Sequence, residues 1–230
     1  MDIKVKSYII TIENDQLSYD AMLNCKQSTN MPIDIFKAFT PRDVPAKMME
    51  ENLQWTYPWD MPKHDFATGL KLSPYRTQQK AARIACFLSH YQLWKNCVKE
   101  DVPFLILEHD AIFVRELETD AIMKAQCDII GINDPRGATR KAMDFHEKIQ
   151  QRPQAVQPVP RIDDPMVPQG LAGNSAYIIK PSGAKKMLNL VKEYGAWPND
   201  AIMCYQLIQG LGVTKTYYTK VQGTRSTTST

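Results

Sequence analysis

The sequence predicts an α/β fold with a central, mostly parallel sheet flanked by helices. Three observations lead there. Phe104-Leu105-Ile106-Leu107 is a short apolar run ending in Glu108-His109-Asp110, and a short unbroken apolar run fits a strand buried on both faces of a parallel sheet. A long amphipathic helical pattern over 77–99 feeds directly into it, for which a right-handed crossover onto a parallel sheet is the simplest arrangement. The chain also opens as strand, helix, strand. Acids just beyond the 104–107 strand stand at the sheet's carboxyl edge, where open α/β sheets carry ligands.

Taken in order, residues 3–12 hold Val5, Tyr8, Ile9, Ile10 and Ile12 and read as the first strand, broken by Glu13-Asn14-Asp15. Apolar positions over 17–27 suit a helix, and 33–39, after Pro32, a second short strand. Residues 41–51 can form a helix. Trp55, Pro58, Trp59, Pro62 and Pro74 mark an aromatic, proline-rich excursion near 52–78, either a cover for a cleft or an ordered packing arm. Within 77–99, Ala82, Cys86, His90, Trp94 and Val98 recur every four residues, and Phe87, Tyr91 and Leu93 widen the stripe.

Beyond the central strand, 113–126 reads as a helix and 128–132 as a strand. A second excursion, 133–173, has room for a helix near 140–150, but five prolines from Pro153 to Pro168 make the remainder poor regular structure. It reads as an acceptor loop or a fixed surface excursion. Residues 175–180 suit a strand, and 181–194 a helix started by Pro181 and stopped by Gly195. Pro198 starts a helix expected to reach about 209. A last strand over 213–218 precedes a Ser/Thr-rich tail, 223–230, expected to be flexible.

At 230 residues the chain can bury the core of one domain spanning 1–230. Apolar residues make up 43% and charged residues 23%, which excludes disordered and fibrous classes. A net charge of +3 is too mild for a duplex binder, so no nucleic-acid partner is expected. Cys25, Cys86, Cys97, Cys127 and Cys204 contain no C-x-x-C pair and read as reduced, mostly buried residues rather than a zinc ribbon or disulfide scaffold. No run approaches the roughly 20 apolar residues of a membrane span, and the first residues lack a secretory signal's apolar region. The expectation is a cytoplasmic protein, with peripheral membrane association and oligomeric state left open.

Several motifs, in this order, resemble glycosyltransferase family 25, which includes bacterial lipooligosaccharide galactosyltransferases and related collagen-modifying domains. They are Ala85-Cys86-Phe87-Leu88-Ser89-His90-Tyr91-Gln92-Leu93-Trp94, Phe104 through Ala111, Gly173-Asn174-Ser175-Ala176-Tyr177-Ile178-Ile179, Gly183-Ala184-Lys185-Lys186-Met187-Leu188, and Pro198-Asn199-Asp200. The resemblance implies a GT-A-like nucleotide-sugar fold and transfer of a hexose, often galactose, from a UDP-sugar donor to a glycan or glycolipid acceptor. It further implies inversion at the sugar carbon and frequent use of Mn2+. The common family pattern is Glu-Asp-Asp where this chain has Glu108-His109-Asp110. A non-catalytic carbohydrate or nucleotide-sugar binding protein of the same fold is the alternative that this departure raises.

Given such a donor, the departing diphosphate needs its charge stabilised, and a divalent metal on oxygen ligands can do so. Asp110 is the leading ligand candidate, with Glu108 a second ligand or an orienter of the sugar; the plainer alternative is that both cap the following turn. Strand alternation puts Glu108 and Asp110 on one side and His109 on the other, unless a turn begins at Glu108. Asp200 is the preferred general base toward an acceptor hydroxyl, with N-terminal capping of its helix as the alternative. Ser89 and His90, about 100° apart on a helix, do not form a nucleophile and base pair. His90 is expected to be a buried hydrogen-bonding residue that fixes the helix against the donor, or a direct donor contact, and Ser89 to tie the helix to a loop. Asn174, beside Gly173, belongs to a backbone approach to the sugar or to a simple turn. Lys220 and Arg225 are candidate cations for the donor diphosphate, or part of a solvated tail.

Overall fold

The computed structural model describes residues 4–138 and 141–223. Strand β1 (Lys6–Thr11) is followed by α1 (Gln16–Gln27), β2 (Asp34–Lys37), α2 (Val44–Glu50), and the short strands β3 (Lys63–Asp65) and β4 (Leu70–Leu72). The long helix α3 (Lys80–Glu100) leads into β5 (Phe104–Glu108) and β6 (Ala111–Phe113), then α4 (Thr119–Met123) and β7 (Ile129–Gly131). After α5 (Ala142–Gln151) and β8 (Val156–Pro158) come β9 (Ala176–Ile179), α6 (Pro181–Tyr194), α7 (Asn199–Ile202), β10 (Leu211–Thr214) and β11 (Thr219–Val221).

Seven strands form the main sheet in the order β2-β1-β5-β9-β7-β10-β8. β2, β1, β5, β7 and β10 run one way, and β9 and β8 run the other. The expected helix-flanked, mostly parallel sheet is therefore present, with an antiparallel strand at its centre. β5 accounts for both faces: Phe104 and Ile106 enter the core beneath α3 and α6, while Leu105 and Leu107 enter the core beneath α1. All four are fully buried, and each such side chain contributes roughly 1.5–3 kcal/mol. α6 starts at Pro181 and ends at Gly195, where φ is +87°, as its proline and glycine signals predict. Gly183 lets it lie close on the sheet, since a Cβ there would stand 2.7 Å from the Asp128 carbonyl oxygen.

Four expectations need correction. The predicted 113–126 helix is only α4, because β6 extends the chain to pair with β11, and the Val114 N–H donates to the Tyr218 carbonyl. The predicted 198–209 helix stops at Ile202; the Tyr205 N–H donates to the Gln169 carbonyl and Gly170 bridges Cys204, so pairing with the 165–171 loop replaces helical bonds. The final strand is two, β10 and β11, in different sheets. Both excursions hold short strands, β3 with β4 in the first and β8 in the second, formed by too few residues to show a period.

Among the described residues no helix is long and apolar enough to cross a membrane. All five cysteines are unpaired thiols.

Candidate active site

β1, β2 and β5 are parallel, so their carboxyl ends share one edge, and the chain turns there at 109–110. That turn replaces the alternation expected of an extended segment. Glu108, His109 and Asp110 consequently all line one cavity of about 320 Å³ against α3, with Arg83, Cys86 and His90. His109 thus borders the same cavity as the acids. Glu108, Asp110 and Arg83 also border a second cavity of about 550 Å³, reached by Asn174, Ser175 and Asp200.

Glu108 is held from behind. His90 Nε2 lies 3.2 Å from Glu108 Oε1, His90 Nδ1 lies 2.8 Å from the Tyr177 hydroxyl, and Trp94 Nε1 donates to that hydroxyl at 2.9 Å. Tryptophan can only donate and an ionised carboxylate can only accept. With a neutral imidazole the chain therefore runs one way: Trp94 N–H to the Tyr177 oxygen, Tyr177 O–H to His90 Nδ1, and His90 Nε2–H to Glu108. Burial drives the Tyr177 pKa well above 10 and keeps its proton in place. Burial alone would push the Glu108 carboxyl up, but the His90 hydrogen bond and nearby cations outweigh it and hold it below the ordinary range. His90 is thus a buried residue hydrogen-bonded at both ring nitrogens. Ser89 ties α3 to the loop after β2, accepting from the Phe39 N–H at 3.0 Å.

Asp110 has the opposite environment. Its Oδ1 is buried with no hydrogen-bond partner among the described residues, while Ser175 hydrogen-bonds the carboxyl group. Burial, then the adjacent Glu108 charge, pushes Asp110 up to about 7. Both amide atoms of Asn174 are buried and unpartnered in the same way. Such groups cost free energy unless something fills their bonding capacity, so the cavity they border is built for a polar ligand. Gly173, with φ at +71°, makes the turn that delivers Asn174.

Asp200 lies in the first turn of α7, behind Pro198, and does not cap it. Its Oδ1 instead accepts from Arg83 Nη2 at 2.7 Å. Arg83 also stacks on Tyr75, its guanidinium carbon 4.1 Å from the ring centroid. Gly170 seats α7, because a Cβ there would come within 2.1 Å of the Met203 carbonyl oxygen.

The fold therefore brings Glu108, Asp110, Asn174 and Asp200 to one cavity and sets His90 behind Glu108. It does not bring Lys220 there. Thr219 faces inward on β11 and Lys220 outward, and Lys220 lines a separate basic pocket with Arg115, Arg136 and Lys215. Arg225 lies outside the described residues. Sequence reasoning missed Arg83, although it precedes Cys86 by three positions and His90 by seven, which is same-face spacing on a helix.

The sequence model of glycosyltransferase family 25 (LPS biosynthesis protein) matches residues 4–203. No curated protein sequence matches the chain. Among solved structures it is similar to the WbbM bifunctional glycosyltransferase (12% identity, TM-score 0.41), covering 93% of this chain and 39% of that one. It is also similar to the glycosyltransferase GlyE of Streptococcus pneumoniae TIGR4 (10%, TM-score 0.39), covering 96% and 46%. A third is mouse xyloside xylosyltransferase 1 (9%, TM-score 0.40), covering 88% and 80%. The chain spans less than half the length of the first two. The family match extends over most of the chain, from β1 through the Asp200 helix, and includes every motif that supplies the cavity: the chain belongs to glycosyltransferase family 25.

Proposed function

We propose that the enzyme moves a hexosyl group, galactose being the favoured sugar, from a UDP-sugar to a hydroxyl of a glycan or glycolipid acceptor with inversion at the anomeric carbon. The observation that carries this reading is the shared cavity, in which the unpartnered Asp110 Oδ1 and Asn174 amide and the Arg83-paired Asp200 all stand.

In this reading the donor's nucleotide lies in the smaller cavity, at the carboxyl ends of β1, β2 and β5, and its sugar reaches toward Asn174. The unfilled Asp110 Oδ1, with Glu108 beside it, is an all-oxygen donor pair of the kind hard divalent cations take. These two residues would hold Mn2+, which when bound supplies charge stabilisation to the departing diphosphate. Glu108 is kept ionised and fixed in direction by His90. Asp200, its Oδ1 anchored by Arg83, accepts the proton of the acceptor hydroxyl as that oxygen bonds to the anomeric carbon. The bond from that carbon to the diphosphate breaks on the opposite face, giving inversion.

The test is a donor panel with and without Mn2+, read by product mass and anomeric configuration. Mn2+-dependent transfer from a UDP-hexose, lost in Asp110→Ala and in Asp200→Asn, is the expected result. Near-normal turnover in both folded variants would overturn the assignments.

A further inference from the structure

We propose that Cys86, His90 and Glu108 form a second cation site, selective for a soft divalent ion such as Zn2+, whose filling withdraws Glu108 from the donor. Among the described residues, one ligating atom from each of the three lies within 4.8 Å of the others. Cys86 and His90 are four apart on α3 and so share a face, and all three border the 320 Å³ cavity, which leaves room for a fourth ligand. The donor set differs from the all-oxygen pair of Glu108 and Asp110: sulfur and imidazole favour Zn2+ over Mn2+.

Charge balance supports the assignment. One thiolate, one carboxylate and a neutral imidazole cancel a doubly positive ion, which is what a buried site requires. In the ion-free protein the Cys86 thiol faces Asn199 Oδ1 at 3.9 Å. On binding, Cys86 releases its thiol proton to solvent. The His90 proton passes from Nε2 to Nδ1 and the Tyr177 O–H, which keeps its own proton, rotates away so that its oxygen accepts from Nδ1–H; this gives the coordinating imidazole the partner that metal-bound histidines characteristically have. The separation among the three groups closes toward Zn–S and Zn–N lengths of about 2.3 and about 2.0–2.1 Å. Binding stands on these residues alone; the consequence for transfer rests on the function proposed above.

The experiment titrates the full chain, reduced and freed of metal, with Co2+, reading the near-ultraviolet thiolate-to-cobalt band, and then displaces Co2+ with Zn2+. Expected are one Co2+ per chain with that band, its loss in Cys86→Ser with at least tenfold weaker Zn2+ binding, similar weakening in His90→Gln, and retention of the band in Asp110→Asn. No band in the wild type, or an undiminished band in Cys86→Ser, overturns the site. Zn2+ should also inhibit transfer in the wild type at concentrations that Cys86→Ser tolerates. Unchanged transfer at full Zn2+ occupancy overturns the inhibitory half alone, whereas a chain that shows the band but transfers no UDP-hexose contradicts the proposed function and leaves the site standing.

Discussion

Arg83, on the first turns of α3, holds the Asp200 carboxylate at 2.7 Å across 117 positions of sequence. The arginine side chain is 9% exposed and the aspartate 48%, so the cation is the fixed partner and the acid the presented one. Replacing Arg83 by Gln should leave Asp200 in place on α7 but free to turn. We expect kcat/KM to fall by about tenfold to a hundredfold, less than the roughly 10²–10⁴-fold that a proton acceptor itself supplies, because Asp200 remains. Steady-state kinetics of Arg83→Gln beside Asp200→Asn tests it: the double variant should be little worse than Asp200→Asn alone.

Asp110 gives a pH prediction. Its folded-state pKa, about 7, lies above the ordinary aspartate value of 3.8. Between those values the folded chain binds the extra proton, so this group's contribution to stability falls as pH rises from about 4 toward 7. Asp110→Asn removes that penalty. In a chelator its melting temperature should exceed the wild type's at pH 8, by roughly 2–4 °C for each kcal/mol recovered, and the gain should shrink as pH is lowered toward 4. A difference independent of pH would contradict the assignment.

Tyr177→Phe removes one oxygen and leaves the Trp94 N–H and His90 Nδ1 without it. Orphaned buried groups cost about 1–3 kcal/mol. Urea unfolding should show that loss with an unchanged slope, and donor turnover should fall as Glu108 loses its support.

Gly170→Ala sets a Cβ against the Met203 carbonyl, a backbone atom that cannot swing aside. Overpacking of this kind costs typically 1–3 kcal/mol. The outcome expected is a lower melting temperature together with reduced kcat, because the loop carrying Gly170 and the turn carrying Asp200 must part.

The sheet was legible where composition decides local structure. The 104–107 run, the α3 stripe and the proline and glycine ends of α6 each point to one state by local physics. So was the grouping of Glu108, Asp110, Asn174 and Asp200 in one cavity, which the resemblance, rather than spacing, brought together. What failed depends on distant partners. Residues 203–209 have helical composition, but their backbone is claimed by the 165–171 loop. β6 is named a strand only by β11, about a hundred positions away. Arg83 reads as one more charge on a helix until Asp200 is seen opposite it. The 109–110 turn is the exception that strand alternation left open, and it brings His109 to the same cavity as the acids.

The reversed direction of β9 has an effect beyond the core. Ile132, just past the end of β7, donates its N–H to the Ala176 carbonyl, while the Ser175 carbonyl accepts from Glu108. The chain thus leaves β7 and returns in β9 at one rim, beside Glu108, adding β8 to the far edge of the sheet on the way. The loops on either side of β8, short of Gly170, can change length without sliding β7 or β9. Those loops can therefore vary while Glu108 on β5 and Asp110 on its turn stay where they are.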